Sequence, residues 1–145
     1  MASIKPNKDL FVAHLKYWKY KLHLGNYAIS AEYNYEGVGG ECEMHHPSLI
    51  ATVRIGDVDE IWTEQIIARH EMLELLLEPL FALQQNEIHE DKTYRAGHEV
   101  IHRLENILPI PSDKEVGYVG KKKKKKVKKG VEPVPCGKKK KPKGK

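Results

Sequence analysis

A chain of 145 residues has room for one domain, and its two cysteines, Cys42 and Cys136, are too few for a disulfide framework or a four-cysteine zinc site. It has 40% hydrophobic and 31% charged residues and no run of the roughly 18–20 uncharged apolar residues that span a bilayer, so it reads as a protein of a reducing, cytoplasmic compartment. The net charge of +5 divides into an acidic body, −8 over residues 1–120, and a basic end, +13 over residues 121–145.

The opening, MASIKPNKDLFVAHLKYWKY, has no apolar core followed by a small-residue cleavage site, so no secretory signal is expected. Residues 9–17 fit a short helix or a lead-in strand. Trp18, Tyr20, Leu22 and Leu24 then alternate with Lys19, Lys21 and His23, and period two predicts a strand with one buried face. Gly25-Asn26 signals a turn. Tyr27, Ile29, Ala31, Tyr33 and Tyr35 alternate again, which predicts a second strand paired with the first as a hairpin. Residues 37–47, GVGGECEMHHP, read as a loop, and Leu49 to Ile55 as a third, β-branched strand.

From about Glu60 the spacing becomes helical, with Asp57, Asp59 or Thr63 available as a cap. Pro79 is expected to end that helix near Glu78. Residues 84–93 are polar and loop-like, and Tyr94 to Leu108 form an amphipathic helix stopped by Pro109. The expected fold is α+β, a small three-stranded, mainly antiparallel sheet packed against two or three helices. The domain spans residues 1–110 and residues 111–120 form a linker. Residues 121–145 lack the apolar area needed to offset chain entropy and are expected to be disordered.

Two short patterns carry chemistry. His70-Glu71-Met72-Leu73-Glu74 lies in an almost wholly apolar helix, where imidazoles and carboxylates are costly unless paired or bound to a metal. His70 and Glu74, at i and i+4, share a face and can reach one ion, while Glu71 on the flank can accept a proton. The next helix contains His98-Glu99-Val100-Ile101-His102, an H-E-x-x-H pattern 28 residues on. If the two helices pack side by side, His70, Glu74, His98 or Glu99, and His102 converge. The plainer alternatives are that His98 and His102 pair with Glu99 and Glu105 on a half-exposed helix, and that Glu71, Glu74 and Glu78 form a solvent-facing stripe. His45-His46 near Cys42 reads as loop.

These residues resemble the core of the zincin metallopeptidases. In that family an edge strand leads through a short loop into the helix carrying H-E-x-x-H, and a downstream helix supplies a third ligand, glutamate in the gluzincin branch or histidine in SprT-like proteins. The resemblance covers residues 48–108, with LIATVRIGDVDEIWTEQIIARHEMLELLL as the strand-to-helix lead-in. It implies His70 as first metal ligand, Glu71 as general base, Glu74 in place of the usual second histidine, and His98, Glu99 or His102 as third ligand. The alternative mapping takes His98 and His102 as ligands and Glu99 as base. Zinc is the implied metal, since it accepts carboxylate oxygen, and iron or manganese would suit a two-metal site. The strand from Leu49 to Ile55 would be the edge that binds an extended protein or peptide substrate.

The basic end has separate chemistry. Lys121, Lys122, Lys123, Lys124, Lys125, Lys126, Lys128, Lys129, Lys138, Lys139, Lys140 and Lys141 suit sequence-independent contact with nucleic acid through counterion release. No aromatic or arginine in residues 121–145 is available for base readout. Two functions follow as expectations. One is a metal-dependent hydrolase tethered to nucleic acid. The other is a non-catalytic nucleic-acid-binding or packaging accessory protein, with or without a structural metal.

Overall fold

The computed structural model describes residues 3–45, 48–84 and 90–120. The lysine-rich end and the middle of the expected 84–93 loop lie outside them. Helix α1 spans Lys8–Lys21, strands β1, β2 and β3 span Ala28–Glu32, Gly40–His45 and Ile50–Ile55, and helices α2 and α3 span Glu64–Gln84 and Glu90–Ile107. The fold is α+β, with a three-stranded sheet and three helices. No helix among the described residues is long and apolar enough to cross a membrane.

The first expected strand is helical. Asn7 caps α1 by accepting from the Leu10 amide, and Leu10, Phe11, His14, Leu15 and Trp18 are buried at helical spacing. The apparent alternation through Tyr20 is incidental, since Tyr20 is 84% exposed. The helix ends with His23 in the left-handed region, φ 55°, where the Leu24 amide donates back to the Lys19 carbonyl and the His23 amide to that of Tyr20.

The expected third strand stands as β3, and the strand that replaces the lost first one, β2, comes from the segment read as a loop. In β2, Glu41, Glu43 and His45 are exposed while Cys42 and Met44 pack against the core. The period-two signal was present there but masked by the preceding glycines. The sheet order is β1-β3-β2, with β1 and β3 parallel and β2 and β3 antiparallel, so the sheet is mixed and not mainly antiparallel. The strand expected at an edge, Leu49 to Ile55, is central as β3, because β2 and β1 flank it. Its Ala51, Val53 and Ile55 are fully buried.

One face of the sheet forms the core with Phe11, Leu15 and Trp18 of α1 and Ile67, Ala68, Met72 and Leu75 of α2. On the other face Arg54 ties the strands together. Its guanidinium reaches Glu32 on β1 at 2.9 Å, and Glu41 and Glu43 on β2 at 2.8 and 2.6 Å. Residues 109–120 follow the last helix and touch the body. Tyr118 Oη accepts from Asn7 Nδ2 at 2.7 Å, and Asp113 lies 3.4 Å from the buried His14 Nε2.

Asp59 stabilises the turn before α2 by accepting from the Ile61 and Trp62 amides, and Thr63 caps the helix through Ile66. The helix does not stop at Glu78. It continues through Pro79, which lacks the N–H that would bond to the Leu75 carbonyl. Its last turns are held by tertiary contact, with the Phe81 ring against Gly97 of α3. A Cβ at position 97 would lie 2.3 Å from Phe81 Cε1 and Cζ. Gly97→Ala is therefore expected to force α3 away from α2, at a cost of about 1–3 kcal/mol, and to weaken whatever binding depends on the two helices together. Denaturant titration and zinc affinity of the same variant check this.

Candidate metal centre

The centre forms where α2 and α3 pack. His70 and Glu74 project from one face of α2, one turn apart, as their spacing requires. Close approach at Gly97 brings the neighbouring His98 over them. Glu74 Oε1 lies 3.4 Å from His70 Nε2 and 3.3 Å from His98 Nε2. The three donor atoms all lie within 4.8 Å of one another. His70, Glu74 and His98 can therefore hold one metal ion. Two imidazoles and a carboxylate are a donor set of catalytic zinc sites, which keep a fourth position open.

A second layer surrounds these three. Glu105 of α3 places Oε1 2.9 Å from His70 Nδ1 and Oε2 3.1 Å from His102 Nδ1. The His102 side chain is 62% exposed and its ring centroid is 6.1 Å from that of His70. His102 thus stands at the rim, joined to the cluster through Glu105. The rings of Trp62 and His70 stand perpendicular, with centroids 5.9 Å apart. Glu99 is 65% exposed and ion-paired with Arg103 on the outer side of α3, so its carboxylate does not join the group.

Glu71 is buried on the flank of α2 facing β2. A Cβ added at Gly40 would lie 3.3 Å from Glu71 Oε1 and 2.6 Å from the Arg54 carbonyl, so this glycine makes room for the carboxylate. Glu71 Oε2 has no protein hydrogen-bond partner. Burial first, and then the charge of Glu74, raise the Glu71 pKa to about 8. Burial alone would lower His70. The hydrogen bonds that the ring donates to Glu74 and Glu105 and the nearby carboxylate charges outweigh it and raise His70 to about 9. A glutamate poised near neutrality beside a cluster of metal-ligand types suits general acid–base work.

Cys42 of β2 lies behind the centre. Burial, followed by the charges of Glu71, Glu74 and Glu78, pushes its thiol up to about 12, so it stays protonated in the metal-free chain. With Met44, Glu74, Leu75 and Glu78 it lines a cavity of about 20 Å³, roughly the room of one water. His45 lies 3.9 Å from Glu43 on the outer face of the sheet, away from this group.

Sequence reasoning treated Glu105 only as a possible partner of surface histidines and did not single out Trp62. The signal for Glu105 was its position three residues after His102 and seven after His98, on one face of α3. The lysines from Lys121 to Lys141 lie outside the described residues. No family model, curated protein or solved structure matches the chain.

Proposed function

We propose that this protein is a zincin-like metal-dependent hydrolase, a peptidase by chemistry, with His70, Glu74 and His98 as ligands and Glu71 as general base. The observation that carries the reading is the permuted donor set. The carboxylate stands on α2 where the zincin pattern has its second histidine, and α3 returns an imidazole. The total of two imidazoles and one carboxylate is preserved. A catalytic role for Glu74 in place of histidine is then an exchange of positions between ligands, with no change in their number.

A divalent ion bound there would polarise a scissile carbonyl and lower the pKa of a water to about 7. Glu71 Oε2 would accept a proton from the attacking water and return it to the leaving amine. Among the described residues β2 pairs with β3 alone, so its outer edge offers backbone groups to an extended substrate. The lysine-rich end would hold the enzyme on nucleic acid through a salt-sensitive contact.

A second reading is a non-catalytic nucleic-acid-binding or packaging module whose centre is structural. Its support is that the Glu74–His98 and Glu105–His70 ion pairs link α2 to α3. Hydrolysis of an unfolded protein substrate separates the two. The first reading expects one tightly bound zinc per chain, turnover that stops with a chelator, and loss of both in His98→Ala. Zinc-loaded chain that hydrolyses nothing would favour the second.

A further inference from the structure

We propose that Glu105 is the positioning residue of the metal centre: it holds the Nδ1 side of His70 and thereby aims Nε2 at Glu74 and His98. This rests on the reading of His70, Glu74 and His98 as a metal site. An ionised carboxylate only accepts hydrogen bonds. The 2.9 Å contact between Glu105 Oε1 and His70 Nδ1 therefore keeps a proton on Nδ1, so that an ion entering the site would displace the Nε2 proton shared with Glu74 and meet the Nε2 lone pair. Nε2 is the ring atom that lies 3.4 Å from Glu74 Oε1.

Glu105 is itself fixed from two sides. Its second oxygen is 3.1 Å from His102 Nδ1, and its backbone carbonyl accepts from Arg69 Nη1 at 2.9 Å. Arg69 also donates to the Leu108 carbonyl at 2.9 Å, which closes the end of α3 against α2. Consecutive residues of α2, Arg69 and His70, thus grip the backbone and the side chain of one residue of α3. The Glu105 side chain is only 12% exposed, so water competes weakly for its oxygens. On this account His102 is an outer clamp on Glu105, and its ring is not a ligand.

The test is zinc affinity of the full chain, measured by competition with a chromophoric chelator, together with ring ¹⁵N spectra of the zinc-loaded protein. Glu105→Ala is expected to keep one site per chain and bind zinc about 10- to 100-fold more weakly. Glu105→Gln, which keeps the volume and one acceptor oxygen, should lose less. The wild-type spectra should show His70 bound through Nε2 with a proton on Nδ1, and that proton should exchange faster in both variants. A folded Glu105→Ala chain within twofold of wild type, or His70 bound through Nδ1, would overturn the proposal. If Glu105→Ala does not fold, Glu105→Gln decides, and affinity equal to wild type overturns it. Wild-type protein that binds no zinc would instead overturn the metal site, and this inference with it.

Discussion

Glu71→Gln is expected to retain one zinc per chain and to lower hydrolysis of an unfolded protein by about 10²- to 10⁴-fold, the usual contribution of a positioned proton-transfer group. The amide has nearly the same volume, so packing over Gly40 is preserved. It also removes a buried titratable carboxyl, so the variant should fold at least as stably as wild type at neutral pH. Loss of turnover without loss of metal or stability separates a chemical role from a packing role. Steady-state rates, metal content and denaturant midpoints on the same preparation give all three readouts. A variant as active as wild type would remove Glu71 from the mechanism.

The second large effect is on stability as a function of pH. In metal-free protein His70 titrates near 9 in the folded state against 6.5 unfolded, so its contribution is complete below about pH 6.5 and lost as pH rises through about 9. Glu71 titrates near 8 against 4.5, so the folded state holds its proton longer and loses stability as pH rises from about 4.5 to 8. Both act in one direction. The two groups are adjacent and interact, so their effects do not add fully. Metal-free chain should be less stable at pH 9 than at pH 6 by roughly 2–4 kcal/mol. Zinc requires deprotonated His70, so its stabilising effect should grow over the same range and flatten or reverse the profile. Urea titrations at several pH values, with chelator and with zinc, check the sign. A flat metal-free profile would contradict the account.

The residues of α2 were legible because its background is so apolar. In IIARHEMLELLL any polar side chain at helical spacing needs a partner, and that need pointed to His70, Glu71 and Glu74 before any fold was known. His98 was legible only as one of three candidates on α3. The pattern H-E-x-x-H does not say which side of a helix faces inward. That choice is made by Gly97 against Phe81 and by buried Ile101, which turn His98 inward and Glu99 out to Arg103. Such contacts join positions far apart in the chain, and local spacing carries no record of them.

The strand errors have the same origin. Trp18 and Leu24 are buried in the structure, as the alternation required, but Trp18 is buried as part of a helix that also buries Phe11 and Leu15. A four-residue alternation fits either period when the intervening residues, Lys19, Lys21 and His23, are polar. The parallel pairing of β1 with β3 requires β2 to cross to the far edge, and no hairpin signal predicts such a crossing. The mispaired hairpin left the helices in place, so the α2 residues of the site could be read even though the sheet was drawn wrongly.

X-ray absorption of the zinc-loaded full chain tests the central assignment most directly, because it reads the donor atoms themselves. The account predicts two imidazole nitrogens at about 2.0 Å with carboxylate or water oxygen and no sulfur, and the loss of one imidazole in His98→Ala. A sulfur neighbour at about 2.3 Å, or an imidazole count unchanged by His98→Ala, would contradict it.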